Sequence, residues 1–314
     1  MTRHFRTDDD LTSAEQHRVL RRALELKADR FASTALAGPE SVAVIFDKPT
    51  LRTQVSFATG IAEMGGYPLV LDGRLAGIGR RESVADVARV IGRQVRAIVW
   101  RTFAQADLEE MAELAQVPVI NALTDQLHPC QGLADLVTVA EHTGGLAADG
   151  PALAGRSLAY VGDGSNNMAH TYLLAGAVAG MDIRIGTPPA FQPEARILAR
   201  AEQIARGTGG SVSVHTDPVA AVRGVDAVAT DTWVSMGQED QADQREAPFR
   251  PYQLNADLLA AASSSAIVLH CLPAYRGKEI TADVLESEAS VVWQEAENRL
   301  HVQKAVLEFL VGEA

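Results

Sequence analysis

Residues 42–57 constrain the fold of this chain more than any other stretch. Residues 42–46 form a short, continuous apolar run rich in β-branched side chains, which is typical of a strand buried on both faces of a parallel sheet. Asp47 and Pro49 interrupt the run, and from about Thr53 the apolar residues recur at helical intervals. The pattern predicts a strand, a turn and a helix, which is the local unit of an α/β fold.

The turn between this strand and helix has the composition of an anion-binding site. Backbone N–H groups at the start of a helix lack partners and attract anions, and a guanidinium group and hydroxyls add further donors. The side chains that supply such donors here are Lys48, Thr50, Arg52 and Thr53. An ordinary strand-to-helix loop with a surface arginine explains the same stretch equally well, so both interpretations stay open at this point.

Apolar runs and helical periodicities alternate along the rest of the chain. This alternation predicts right-handed βαβ units and mostly parallel sheets flanked by helices. A length of 314 residues exceeds one typical core, and the Gly- and Ala-rich segment 144–155 is the best boundary between two domains. The sequence also predicts a last strand near Val291 and a closing helix that begins near Glu295.

Charge and composition exclude several classes of partner. The net charge of −12 leaves no basic stripe for nucleic acid. No apolar run approaches the roughly 20 residues needed to span a membrane, and the first residues lack the apolar core of a signal peptide, so a cytoplasmic location is expected. Cys130 and Cys271 have no cysteine close by, which argues against a disulfide framework or a structural zinc site.

Polar clusters follow several of the predicted strands, at the end where α/β sheets bind ligands. They comprise residues 48–52, 101–102, 128–131, 231–236 and 270–276. Taken singly, His128 is explained by a structural role, and Asp231 serves equally well as a turn cap or as an acceptor for an ammonium group.

The turn at residues 162–167 is a partial match to a dinucleotide fingerprint. It lacks the third glycine, and no acidic residue follows the next strand, so NAD(P) is not expected. Asn166 and Asn167 are then available for a ligand carboxylate.

One set of motifs extends over nearly the full length of the chain. It comprises Phe46-Asp47-Lys48 with Arg52-Thr53, Trp100-Arg101-Thr102, His128-Pro129-Cys130-Gln131, Gly162-Asp163 with Asn166-Asn167, residues 231–237 (Asp-Thr-Trp-Val-Ser-Met-Gly), His270-Cys271-Leu272-Pro273, and Glu297-Asn298-Arg299. Together these motifs resemble those of the aspartate/ornithine carbamoyltransferase family, and its ornithine branch in particular.

The resemblance implies an organisation and a reaction. It implies a carbamoyl-phosphate domain, residues 1–150, on which a C-terminal helix, residues 295–314, packs back, and an ornithine domain, residues 151–294. It implies a homo-oligomer, a trimer, that takes part in arginine biosynthesis. The reaction would transfer the carbamoyl group of carbamoyl phosphate to L-ornithine, giving citrulline and phosphate, without a metal or other cofactor.

The resemblance also implies roles for individual residues. Carbamoyl phosphate would be bound by Thr50, Leu51, Arg52, Thr53, Arg101, His128, Gln131 and Arg299. Ornithine would be bound by Asn167, Asp231, Ser235, Met236, Cys271 and Leu272. The catalytic residues among them would be Arg101, His128 and Cys271.

The chain departs from the family pattern mainly in the phosphate loop. The family usually has Ser-Thr-Arg-Thr-Arg there, whereas this chain has Leu51 in place of a threonine and Gln54 in place of the second arginine. Gly77 aligns with a glutamine that the neighbouring subunit usually supplies, and Tyr275 replaces a usual histidine. Each lost charge-assisted hydrogen bond costs about 1.5–3 kcal/mol.

Three functions therefore stay open at this stage. The first is an ornithine carbamoyltransferase with a weakened carbamoyl-phosphate site. The second is a paralogue that uses a different electrophile or diamino-acid acceptor. The third is a non-catalytic amino-acid-binding protein, against which the retained Arg52, Arg101, His128 and Gln131 argue.

Overall fold

The computed structural model of the chain describes residues 2–233 and 246–312. The chain divides into two compact units: unit 1 is Met1–Val137 together with Glu297–Ala314, and unit 2 is Thr138–Ala296. The predicted domain boundaries at 150/151 and 294/295 stay predictions. None of the helices in the described part of the chain combines the length and the apolar content needed to cross a membrane.

Unit 1 contains a parallel sheet whose described strands follow the order β2-β1-β3-β4. The strands are β1 (Ser41–Phe46), β2 (Tyr67–Asp72), β3 (Ala97–Arg101) and β4 (Val119–Leu123). The apolar run predicted to be a buried strand is β1, and its residues 42–46 are buried between two neighbouring strands. In the β1–β3 register Phe46 lies opposite Arg101, so the turn after β1 starts beside that arginine.

The helices of unit 1 flank and connect its strands. They are α1 (Ser13–Ala28), α2 (Arg52–Glu63), α3 (Gly73–Ala76), α4 (Val84–Ile91), α5 (Gln105–Leu114) and α6 (Pro129–His142), of which α6 ends inside unit 2. Thr12 and Glu15 form a capping box at the start of α1, and Ser83 caps α4 by accepting from the N–H of Asp86.

Unit 2 repeats the arrangement with a parallel sheet in the order β7-β6-β5-β8-β9, as far as its described residues show. Its strands are β5 (Ser157–Val161), β6 (Asp182–Gly186), β7 (Ser211–His215), β8 (Ala227–Thr230) and β9 (Ile267–His270). Its further helices are α7 (Asn167–Val178), α8 (Ala195–Thr208), α9 (Pro218–Val222), α10 (Ala256–Leu259) and α11 (Ala282–Leu285), and Ala247–Tyr252 is a 3₁₀-helix. The prediction of an α/β fold with two mostly parallel sheets flanked by helices is confirmed.

The chain closes with α12 (Val292–Gly312), and the predicted strand near Val291 is wrong. Ser290 makes a single bridge to Val268, and two residues later, at Val292, the helix begins. A short apolar run is compatible with a strand or with the start of a buried helix, and here the helix prevails. From residue 297 onward α12 belongs to unit 1, where the buried Lys304 pairs with Glu63 at 3.0 Å, so the predicted packing of this helix on the first half is confirmed.

The strand register of unit 2 brings three loop residues side by side. Thr230 lies opposite His270 in the β8–β9 pair, and the hydroxyl of Thr230 donates to the carbonyl of Val161 at 2.8 Å. The next residues, Gly162, Asp231 and Cys271, therefore leave the carboxyl ends of three adjacent strands, which are spaced by about 4.8 Å each.

Candidate functional site

The predicted carbamoyl-phosphate residues of unit 1 come from four separate elements. Thr53 lies in the first turn of α2, Arg101 ends β3, His128 and Gln131 lie at the start of α6, and Arg299 lies on α12. All five side chains are buried. We call them the arginine cluster.

The hydroxyl of Thr53 joins the two guanidinium groups of the arginine cluster. It accepts from Arg299 Nη2 at 2.6 Å and from Arg101 Nη1 at 3.3 Å. Arg299 Nη1 donates to Gln131 Oε1 at 2.5 Å, and Gln131 Nε2 donates to the buried carboxylate of Asp135 at 2.7 Å. Because each planar guanidinium is held by a fixed partner, its remaining N–H groups keep a defined direction.

The positive charges of the arginine cluster affect the pKa of His128. Burial holds the pKa of His128 well below its usual value, and the charges of Arg299 and then Arg101 lower it further. Lys48 adds to the same effect, and its ammonium group is itself held by Asp125 and by the ring of Phe103, whose centroid lies 4.6 Å away. His128 is therefore neutral at physiological pH and can still donate one N–H.

The turn before α2 contains Leu51, the residue that replaces the usual threonine of the family. Leu51 occupies the N-cap position of α2 with no side-chain hydrogen bond, and its side chain is 73% exposed. Thr50 and Arg52 are half-buried, and Gln54 is exposed. The start of α2 thus offers its backbone N–H groups to an anion without the added hydroxyl that a threonine at position 51 would supply.

A second group of predicted site residues meets in unit 2. The thiol of Cys271 donates to Asp231 Oδ1 at 3.3 Å, and the same oxygen accepts from the backbone N–H of Thr232 at 2.7 Å. Asp231 is half-buried, and burial raises the pKa of its carboxyl. Asp231 thus accepts from the N–H of Thr232 within its own turn, and its role as an acceptor for an ammonium group stays a prediction. We call Asp231, His270, Cys271 and Leu272 the Asp231 cluster.

His270 organises the backbone of the Asp231 cluster. Its Nδ1 accepts from the N–H of Leu272 at 2.9 Å, and its Nε2 lies 3.2 Å from Oε1 of the buried Glu279. Leu272 has a φ of +57°, a conformation that non-glycine residues rarely adopt, and this hydrogen bond helps to hold it. Sequence reasoning missed Glu279, because only the fold brings this loop carboxylate to His270.

The Asp231 cluster also contains the ligand types of a metal site. Among the described residues, Asp231, His270 and Cys271 offer three potential ligand atoms within 4.8 Å of one another. Both ring nitrogens of His270 are already engaged by Leu272 and Glu279, so a metal ion would have to displace one of those contacts. The arrangement suits hydrogen bonding to an amine better than it suits a metal ion.

Asn166, which the sequence makes available to a ligand carboxylate, already uses its amide group within unit 2, and its contact with a ligand stays a prediction. Its Oδ1 caps α7 by accepting from the N–H of Ala169 at 2.9 Å, and its Nδ2 donates to the hydroxyl of Tyr160 at 2.7 Å. Asn167 is the first residue of α7 and is half-buried. Ser235 and Met236, also predicted to bind ornithine, lie outside the described residues.

Sequence comparison assigns both halves of the chain to one family. Residues 3–141 match the family model described as aspartate/ornithine carbamoyltransferase, carbamoyl-P binding domain, and residues 154–310 match the model described as the Asp/Orn binding domain. The chain belongs to the aspartate/ornithine carbamoyltransferase family. The arginine cluster falls in the first match except for Arg299, and the Asp231 cluster falls in the second.

Individual family members resemble the chain over its whole length. An ornithine carbamoyltransferase of Clavibacter sepedonicus is 54% identical over 314 residues, which are 100% of both chains. One from Bifidobacterium longum (strain NCC 2705) is 53% identical and covers 99% of this chain and 96% of its own. The structure of ornithine carbamoyltransferase from Pyrococcus furiosus matches with a TM-score of 0.93 at 42% identity, covering 100% of this chain and 98% of the other.

The neutral state of His128 predicts a pH dependence of stability. The pKa of His128 is lowered in the folded chain, so below about pH 6.5, the ordinary value, the unfolded chain binds a proton that the folded chain does not. The free energy of unfolding should therefore fall as the pH falls. His128→Gln should reduce that slope by up to about 1.4 kcal/mol per pH unit below about pH 6.5. Urea titrations at a series of pH values measure both slopes, and equal slopes would contradict a neutral buried His128.

Proposed function

We propose that this chain is an ornithine carbamoyltransferase, which transfers the carbamoyl group of carbamoyl phosphate to the side-chain amine of L-ornithine and releases citrulline and phosphate. The observation that carries this proposal is likeness over the full chain to enzymes named for that activity, at 53–54% identity. The intact arginine cluster supports a catalytic protein over one that only binds amino acids. Nothing in the comparisons favours a different electrophile or acceptor.

Carbamoyl phosphate is assigned to the arginine cluster. Arg52 and the backbone N–H groups at the start of α2 would bind the phosphate, with Thr50, Leu51 and Thr53 lining the same turn. Arg101 and the neutral His128 would donate to the carbonyl oxygen, which gains negative charge when the amine attacks. Gln131 and Arg299 would hold the carbamoyl end. The leaving phosphate can accept the proton of the attacking amine, so the proposal needs no metal or other cofactor.

Ornithine is assigned to the Asp231 cluster, together with Asn167, Ser235 and Met236. The side-chain amine must be neutral to attack, although its ordinary pKa resembles that of lysine. Burial beside Cys271 and the backbone of Leu272 disfavours a charged amine. Asp231, as a carboxylate, would hold the α-ammonium group.

Replacing Arg101 tests the central step of this mechanism. Arg101→Met should lower kcat/KM for citrulline formation by about 10²–10³-fold, because it removes a donor to the developing oxyanion. Arg206→Met, which changes an exposed arginine at the end of α8, is the matched control and should retain full activity. An Arg101→Met enzyme with near wild-type activity would refute the assigned role, and a wild-type chain that forms no citrulline would refute the proposed function.

The altered phosphate loop predicts a weakened carbamoyl-phosphate site. Leu51→Thr should lower KM for carbamoyl phosphate about tenfold, because a hydroxyl at the start of α2 can donate to a phosphate oxygen. Gln54→Arg should have a similar effect by adding a charged donor. KM for ornithine is the internal control and should not change. Steady-state titration of each substrate measures both values, and an unchanged or higher KM for carbamoyl phosphate in both variants would contradict this account.

We propose further that the chain forms a homo-oligomer, with the trimer implied by the family resemblance as its size. Strand β2 lies at the edge of the unit 1 sheet, yet Tyr67, Leu69 and Val70 on it are exposed. Leu75, shortly after β2, is also exposed. An uncovered sheet edge with apolar side chains favours pairing with a second copy.

Sedimentation velocity tests the oligomer. The wild-type chain should sediment as one species of three times the chain mass of 33.5 kDa. Leu75→Asp should shift the population to smaller species, because it places a charge in the apolar surface, whereas Val219→Asp, at an exposed apolar residue of unit 2, should not. A wild-type monomer would refute the proposal.

We infer a cytoplasmic location for the enzyme. Cys130 and Cys271 are both free thiols, and unpaired cysteines are typical of proteins kept in a reducing compartment.

A further inference from the structure

The side-chain amide of Gln131 is held at both ends by charged groups. Its Oε1 accepts from Arg299 Nη1 at 2.5 Å, and its Nε2 donates to Asp135 Oδ1 at 2.7 Å. All three side chains are buried, so bulk water does not compete for these hydrogen bonds. Asp135 has no assigned role in binding or catalysis, yet it determines one end of this amide.

The chemistry of the two partners decides which way the amide faces. A guanidinium group has only donors, a carboxylate has only acceptors, and an amide has both. Turning the amide of Gln131 by 180° would set its NH₂ against Arg299 and its oxygen against Asp135. Two hydrogen bonds to charged groups would become two repulsive contacts, in a buried setting where such contacts are strongest. The amide oxygen therefore stays on the side of Arg299.

That side is the interior of the arginine cluster. Arg299 Nη2 donates to the hydroxyl of Thr53, which also accepts from Arg101. Gln131 lies in the first turn of α6, and Asp135 lies four residues further along the same helix, a spacing at which side chains are neighbours. Asp135 thus draws Nε2 of Gln131 along α6, away from the helix start, and leaves Oε1 directed into the cluster.

The direction of this oxygen matters for the assigned ligand. A carbamoyl group ends in NH₂, which donates, whereas an acetyl group of nearly the same shape ends in a methyl group. An amide oxygen has two lone pairs and can accept from a guanidinium and from a carbamoyl NH₂ at once. A misplaced amide would leave the carbamoyl donor without this acceptor, at the cost of a hydrogen bond.

We propose that Asp135 is a positioning residue, which anchors the amide of Gln131 with its oxygen toward the carbamoyl group and so makes the site prefer a carbamoyl to an acetyl group. Asp135 acts through Gln131 and not by contact with the substrate. The inference deepens the proposed function and rests on it, since it assumes that the arginine cluster binds carbamoyl phosphate.

Two stable ligands isolate the contribution of the NH₂ group. Phosphonoacetamide carries an amide and a phosphonate, and acetonylphosphonate has a methyl group in place of the NH₂. Isothermal titration calorimetry measures the dissociation constant of each, and their ratio is the readout. The wild-type chain should bind phosphonoacetamide about tenfold more tightly. A change in the charge of the cluster affects both phosphonates alike and cancels in the ratio.

Asp135→Ala and Asp135→Leu remove the acceptor of Gln131 Nε2. Each should lower the ratio from about ten to below about three, mainly by weakening the binding of phosphonoacetamide. The leucine variant fills the space of the carboxylate and excludes water, so it decides the result where the alanine variant does not fold or admits a water molecule.

Asp135→Asn is the conservative variant, because it loses the charge but keeps an acceptor oxygen of the same reach. It should retain the wild-type ratio within about twofold. Glu63→Gln is the matched control, since it removes another negative charge of unit 1, one that pairs with Lys304 on α12 at 3.0 Å. It should leave the ratio unchanged.

Three results would overturn the role of Asp135. They are a wild-type ratio in both the alanine and leucine variants, an equal loss of the ratio in Asp135→Asn, and a loss of the ratio in Glu63→Gln. The first would mean that Gln131 needs no anchor, the second that only charge matters, and the third that any disturbance of unit 1 has this effect.

Citrulline formation by the wild-type chain is measured first, so that the two proposals fail separately. A wild-type chain that forms citrulline but binds both phosphonates equally would overturn the role of Asp135 and leave the proposed function standing. A chain that forms no citrulline but shows the expected ratios would do the reverse. A chain that does neither and binds neither phosphonate would refute both.

Discussion

The candidate phosphate site depends on a single hydroxyl that accepts from two guanidinium groups. Thr53 holds Arg101 and Arg299, which come from the end of β3 and from the last helix, at the start of α2. Two cations this close repel one another, and burial strengthens that repulsion. The shared acceptor Thr53 and the Gln131–Asp135 pair offset part of it.

The two units have opposite local charge, although the chain as a whole carries −12. The arginine cluster contains two guanidinium groups, whose charges add to the effect of burial in lowering the pKa of His128. The second cluster contains the carboxyl group of Asp231, with the carboxyl group of Glu279 nearby. Local cations must attract carbamoyl phosphate against the overall field, while an amine is attracted by the field and the cluster together. Weakened contacts in the phosphate loop therefore matter more than an equal loss on the amine side.

The sequence predicts features that depend on neighbouring residues better than features that depend on strand register. The β1–α2 unit and the helix caps at Thr12 and Ser83 were predictable, because each depends on a few consecutive residues. Asn166 was assigned to a ligand, but the start of its own helix uses its side chain. The contact of Glu279 with His270 had no sequence signal, because the fold brings these two residues together.

The position of Arg299 in the chain has a consequence for biosynthesis. Its partner Thr53 is separated from it by 246 positions. During translation the ribosome has released the whole first sheet and the second before the residue that completes the anion site emerges. Phosphate affinity therefore cannot assist the early folding of unit 1, and a chain that stops shortly before α12 would have the sheet and the turn but only one of the two buried guanidinium groups.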